Sequence, residues 1–344
     1  MASRFYNTLF LILLVALQAC APADGGKRVN AQMFLKAPIG EEGVVECYAE
    51  GKHYGIRAVT CQTFLPGDDS FHQMHHHGVA LESEVMAYRI YFDKRQTVDV
   101  YAKRTPRLEL AGSLWYPDDA QLARGFGDDV LKVGNTIGVG SVRPWDKEKQ
   151  KLANTDKFAS RTQRIVSVSD TAATVEVEIK QLQTEGKTVD MLTRYTILAG
   201  HRDMVCQLFL SDSLTSLVTG VQTIGNGETI STKQLKDNER HYGVLLASWG
   251  TDWPVNDTVK YPKETLGIAV AVPYGFAGGI EKPQGQTLVY LVPLKNCMAE
   301  MPDGYSYYAD FHLTAVSLKE NNPPAKNAYE FFDYAREWET ELVK

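Results

Sequence analysis

Four of the chain's eight histidines fall within residues 72–77, inside the run Asp68-Asp69-Ser70-Phe71-His72-Gln73-Met74-His75-His76-His77-Gly78. Two acids, Glu82 and Glu84, follow closely. Imidazole titrates near neutrality and serves equally as a proton carrier and as a metal ligand. If the backbone is extended from about His76, side chains alternate between faces. Glu82, Glu84, Met86, Tyr88, Ile90 and Phe92 then share one face, and Ser83, Val85, Ala87, Arg89 and Tyr91 the other. Carboxylates and imidazoles would meet at one pocket mouth. No His-x-Glu-His or His-Glu-x-x-His spacing occurs, so neither a metal centre nor a cofactor is expected, a structural or catalytic divalent metal staying open.

A second polar cluster is Arg124-Gly125-Phe126-Gly127-Asp128-Asp129, with Gly134 to Gly140 behind it. Its glycines permit tight turns, so Arg124 and Asp128 would stand on a shaped loop. Gly138-x-Gly140 opens no helix after a strand, which rejects a dinucleotide fingerprint. A Ca²⁺ site at Asp128 and Asp129 is conceivable, but the oxygen spacing is not that of an EF-hand loop. Aromatic rings suited to sugar C–H faces include Trp115, Tyr116 and Trp145, with Trp249 and Trp253 the better loop-borne candidates. Arg89, Arg124, Arg143 and Arg194 could grip a sugar carboxylate through bidentate contacts. No Gly-x-Ser-x-Gly elbow is present.

These groups need a scaffold, and the chain reads as mostly strand. Val85–Phe92 and Thr97–Tyr101 flank Asp93-Lys94-Arg95-Gln96 as a hairpin. Thr171–Leu182 alternates almost strictly, and Val189–Leu198 returns after Glu185-Gly186-Lys187. Further strands are expected at 204–210, 218–224, 242–248, 266–272, 287–293 and 307–318. A helix is predicted over Ala325–Leu342 behind Pro323-Pro324, and a shorter one at Asp118–Arg124. Many similar strands without βαβ alternation predict a mainly β fold, a large antiparallel sandwich with a C-terminal helix.

The amino terminus predicts where the protein works. Arg4 precedes an apolar run, Leu9 to Ala16, too short to span a bilayer, and Leu17-Gln18-Ala19-Cys20 matches a lipobox. Residues 1–19 are therefore expected to be a lipoprotein signal, Cys20 the acylated residue, 20–30 a tether and 31–344 a single sandwich domain. No acidic cluster follows Cys20, which favours the periplasmic leaflet of the outer membrane over the cell surface. Removal of residues 1–19 takes one arginine from the 36 basic residues and leaves the 42 acidic ones, so nucleic acid is not an expected partner. Cys47 and Cys61 could close a short loop or stay free.

The run His75-His76-His77-Gly78-Val79-Ala80-Leu81-Glu82-Ser83-Glu84, continuing to Tyr91-Phe92, together with Arg124 to Val130, resembles a Bacteroidetes lipoprotein family of polysaccharide-utilisation loci labelled as a domain of unknown function. That family includes an oligosaccharide dehydratase of ulvan breakdown, which removes water from a terminal uronic acid and leaves a 4,5-unsaturated sugar. The resemblance implies a galactose-mutarotase-like supersandwich and an oligosaccharide substrate. Such an elimination needs a neutralised carboxylate, a base for the C5 proton and an acid for the departing hydroxyl. Arg124 or Arg89 could clamp the carboxylate, and strand parity favours Arg124. His76 or His77, with His75 beside them, supplies the base, oriented by Glu82. Tyr88 or His241 supplies the acid. The competing readings are another carbohydrate enzyme on this scaffold, such as an epimerase, mutarotase or polysaccharide lyase, and a non-catalytic glycan-binding lipoprotein. Oligomeric state is not legible in the sequence.

Overall fold

A computed structural model describes residues 27–342 except 50, 234–242, 260 and 299. Among these residues a ten-stranded antiparallel sheet forms one layer. Its centre follows the predicted hairpins: Ala172–Thr184, Lys187–Leu198, Met204–Leu210 and then Tyr307–Ser317. Glu185 and Gly186 both take positive φ, 52° and 70°, as a two-residue hairpin turn whose twist matches its strands requires. Two five-stranded sheets face this layer. One contains Val29–Gln32, Gly78–Ser83, Met86–Tyr91, Val98–Ala102 and Asp128–Asp129. The other is built around Leu217–Gln222 and Gln286–Leu291.

The main core fills the space between the layers. Val79, Leu81, Tyr88, Ile90 and Val100 meet Val175, Val177, Tyr195, Leu208 and Phe311 there. On the far side of the large sheet the helix Ala328–Glu341 docks on the strands Gly243–Asp252 and Glu264–Pro273. Asn327 caps it by accepting from the Glu330 amide at 3.0 Å, which fixes its start beyond the predicted Ala325. Phe331, Phe332, Ala335 and Trp338 cover Leu245, Ala247, Ala269 and Ala271. No helix among the described residues is long and apolar enough to cross a membrane.

Two expectations change, and one open alternative is decided. The histidine run is not extended: Asp69 caps a one-turn helix, Ser70–Gln73, and His75–His77 form a 3-10 turn. Ordered strand begins inside the expected tether, because Val29 is buried and pairs with Ser83. Cys47 and Cys61 are both free, Cys47 buried in the Val44–Ala49 strand and Cys61 exposed in a different sheet. Cys20 and His241 lie outside the described residues.

Gly267 records the closeness of the helix, since a Cβ there would sit 2.5 Å from the Phe331 ring. Gly267→Ala should therefore destabilise the protein by about 1–3 kcal/mol through overpacking, read as a lowered midpoint in chemical denaturation. An unchanged midpoint would contradict this packing.

Candidate functional site

The site grows from the hairpin Gly78–Ser83/Met86–Tyr91, whose turn lies at Glu84 and Val85. Ala80 pairs with Arg89 and Glu82 with Ala87, so these side chains project from one face. The turn reverses the parity that a single continuous strand would impose. Arg89 consequently shares its face with Glu82, and Tyr88 shares the opposite one with Leu81. Gly78 permits the close pairing beside the histidines, because a Cβ there would meet the Ile90 carbonyl at 2.0 Å.

Arg89 is the centre of this face, 2% exposed. It donates to Asp99, its cross-strand partner, and to Asp129 at 3.3 Å. It also donates to the Tyr116 hydroxyl at 3.0 Å and the Tyr91 hydroxyl at 2.9 Å. Its guanidinium lies 4.5 Å from the Trp115 ring centroid and 4.7 Å from that of Tyr91. Two carboxylates around one cation leave an excess of negative charge. Burial first, and then the charge of Asp99, push the Asp129 carboxyl well above its ordinary range, against the pull of Arg89. Asp129 therefore holds a proton where an exposed aspartate would not.

The histidine turn packs beside this cluster. His75 donates through Nε2 to the Leu114 carbonyl at 2.9 Å, leaving Nδ1 to accept from the Tyr54 hydroxyl at 3.0 Å. His77 stacks on Phe71 with ring centroids 3.8 Å apart and donates through Nδ1 to the Phe71 carbonyl at 2.8 Å. His76 differs from both. It is 1% exposed, and neither ring nitrogen has a hydrogen-bond partner. Burial, then the neighbouring His75 and Arg89, hold its pKa well below 6.5, so the imidazole is neutral.

Backbone strain gathers at the same place. His76 and His77 take φ of 39° and 65°, and Leu114 and Trp115 take 50° and 76°. The two pairs touch, with the His76 and Trp115 rings 6.2 Å apart. Non-glycine residues in this region cost about 1–3 kcal/mol each, and they cluster where a structure is held for function.

A cleft of about 800 Å³ opens above the cluster, floored by Tyr116 and Asp129 and rimmed by Tyr48, Asp128, Asp257 and Tyr261. Its volume suits a small-molecule site. Asp118, Asp119, Asp128, Asp129 and Asp257 line it, and no lysine or arginine does among the described residues.

Sequence-predicted residues divide accordingly. Arg89, His75 and His76 belong to the cluster, and Asp128 lines the cleft. Arg124 is exposed on the loop beyond, its guanidinium 5.9 Å from the Phe126 ring, and is not part of the cleft. Glu82 orients no histidine: it is fully buried, pairs with Lys103 and accepts the Glu109 and Leu110 amides at 2.9 and 3.0 Å. Tyr88 faces the main core and donates to the Arg202 carbonyl at 2.5 Å, so it cannot reach a substrate in the cleft. Trp249 packs on Phe331 under the C-terminal helix, and Trp253 lies under Lys263. Arg194 pairs with Glu176, whereas Arg143 lines a different cavity. Asp99, Tyr91 and Asp129's bond to Arg89 were not foreseen: a turn at 93–96 would pair Arg89 with Val100, and the observed register, one residue away, pairs it with Asp99.

The family model described as a domain of unknown function (DUF4861) matches residues 17–344. The chain belongs to the DUF4861 family. No curated protein matches the sequence. Among solved structures, a protein assigned as an aldose 1-epimerase from Klebsiella pneumoniae is similar at 8% identity, covering 92% of this chain and 96% of that one with a TM-score of 0.37. A GH36 alpha-galactosidase from Geobacillus stearothermophilus is similar at 11% identity and a TM-score of 0.27, over 74% of this chain and 41% of that one. A 4-alpha-glucanotransferase from Thermococcus litoralis gives 9% identity and a TM-score of 0.31, over 76% and 42%. This chain thus spans about two fifths of the galactosidase's length. The overlaps are too slight to carry any residue correspondence.

The proton on Asp129 has a thermodynamic consequence. A carboxyl raised above 3.8 in the folded state contributes stability that is present at low pH and lost as pH rises through its folded-state value. Asp129→Asn cannot ionise, so it should lose less melting temperature than the native protein on going from acid to neutral pH. Parallel melting curves across that range would contradict a protonated Asp129.

Proposed function

We propose that this chain processes carbohydrate by acid–base catalysis, and that it eliminates water across C4–C5 of a terminal uronic acid to leave a 4,5-unsaturated sugar. One feature carries the reading: burial pushes two titratable groups of the cluster in opposite senses, Asp129 toward its protonated form and His76 toward neutral imidazole. Separated acid and base of this kind mark catalytic assignments.

The cleft offers no arginine to a sugar carboxylate, so Asp129, protonated and backed by Arg89, neutralises it by hydrogen bonding and stabilises the enediolate. His76 takes the C5 proton, the C4–O bond breaks as C4=C5 forms, and Tyr116 gives its proton to the departing hydroxyl. Arg89, 3.0 Å away, stabilises the phenolate until His76 returns the proton. His76 is buried and does not line the cleft; it packs on Trp115, whose neighbour Tyr116 does, so its access to substrate requires the left-handed Leu114–Trp115 segment to yield. Lipid attachment at Cys20, with the protein on the periplasmic side of the outer membrane, would put it where imported oligosaccharides arrive.

A second reading, an epimerase or mutarotase, is favoured by the lining, whose charged residues are all aspartates among the described residues and which suits hydroxyl groups better than carboxylates. Incubation with uronic oligosaccharides separates the two. Elimination lowers product mass by one water and creates an ultraviolet-absorbing enol ether, while epimerisation leaves mass unchanged. Tyr116→Phe and Asp129→Asn should each reduce kcat by about 10²–10⁴-fold in folded protein. Turnover unaffected by both substitutions would dispose of the site.

A further inference from the structure

We infer that a second cavity, on the other side of the histidine turn, is a binding site for an anionic saccharide unit, held through Arg143 and Arg161. This site does not depend on the elimination chemistry. The cavity measures about 890 Å³, larger than the Arg89 cleft, and Lys94, Arg95 and Lys151 join the two arginines in its wall.

Both guanidiniums are buried, Arg143 3% and Arg161 2% exposed, yet neither is paired with a carboxylate. Arg143 donates to the carbonyls of Ala153 at 3.2 Å and Thr136 at 3.4 Å and to the Asn154 side chain at 3.1 Å. Arg161 donates to the Asp93 and Thr155 carbonyls and the Thr155 hydroxyl, and its buried Nε has no partner. Each partner is a neutral oxygen. The nearby acids are already engaged: Asp93 binds Arg95 at 2.7 Å, Asp69 binds His72 at 2.8 Å, and Asp68 accepts the Leu65 amide at 2.7 Å. Asp156 is exposed.

A buried, unpaired cation is costly, and Arg89 shows the alternative, since this same fold supplies it with two aspartates. At Arg143 and Arg161 the missing counter-charge is left to a ligand. Desolvation lowers both guanidiniums to about 10, outweighing the opposing charge of Asp93 at each and of Asp156 at Arg161, neither of which forms an ion pair with them. Carboxylate and sulfate share the oxygen spacing that a guanidinium fork accepts. Such a group would fill little of the cavity. Phe71 and Phe158 provide apolar faces for an attached sugar ring. Phe71 also stacks on His77, so an occupant would touch the segment that carries the histidines.

Calorimetric titration with glucuronate, glucose and inorganic sulfate tests the assignment. Glucuronate should bind native protein, with glucose about tenfold weaker or worse, and Arg143→Gln should weaken glucuronate by about tenfold. Arg161→Lys should do the same; if it fails to fold by circular dichroism, the Arg143 variant decides alone. Tyr116→Phe should leave this binding intact, which separates the cavity from the Arg89 cleft. Equal binding of glucose and glucuronate, undiminished binding by Arg143→Gln, or loss only in Tyr116→Phe would each overturn the site. Sulfate as tight as glucuronate would overturn the saccharide part of it.

Discussion

The buried charge of Arg89 is the constraint from which the site follows. A guanidinium taken out of water in the outer face of a sheet must be met by anions and hydrogen-bond acceptors, and leaving it short of one costs several kcal/mol. Asp99 meets it from the next strand, in register. Asp129 meets it from the short strand beyond, and the hydroxyls of Tyr91 and Tyr116 take other donors. Since one cation cannot balance two buried carboxylates, one of them keeps its proton. Asp129, alone of the pair, also lines the cleft, while its oxygens accept from Arg89 and the Leu131 amide.

The rest of the fold holds that geometry still. Val79, Leu81, Tyr88 and Ile90 commit one face of the hairpin to the main core, which leaves Glu82, Arg89 and Tyr91 no choice of side. The buried Glu82–Lys103 pair then anchors the turn Leu110–Ser113 through the Glu109 and Leu110 amides. That turn leads directly into Leu114 and Trp115, the left-handed pair that receives His75 and packs on His76. Glu82, expected to serve a histidine directly, does so at a distance, by fixing the backbone on which the histidine rests.

Much of this was legible in the chain. Period-two alternation and the Glu185-Gly186 turn marked the central hairpins, and the polar run through His77 marked the segment that packs beside Arg89 and Trp115. The errors share a cause: local pattern does not carry three-dimensional register. Reading 76–92 as one strand missed the turn at Glu84–Val85, and that single reversal set Arg89 on the wrong face and promoted Arg124. Tyr88 and Trp249 were plausible as site residues because aromatic chemistry looks alike in a core and in a pocket. His76 could not be singled out from its neighbours, since its lack of partners is a property of the packed state. Arg143 and Arg161 were equally unremarkable until the fold buried both without a carboxylate.

The most direct test of the account is the protonation state of Asp129, read from its side-chain carboxyl ¹³C resonance across a pH titration, with Asp129→Asn as the assignment control. The account predicts that the resonance stays at the protonated shift well above the range in which exposed aspartates ionise. A titration at the ordinary aspartate value of 3.8 would contradict it, because Asp129 would then have no proton to give.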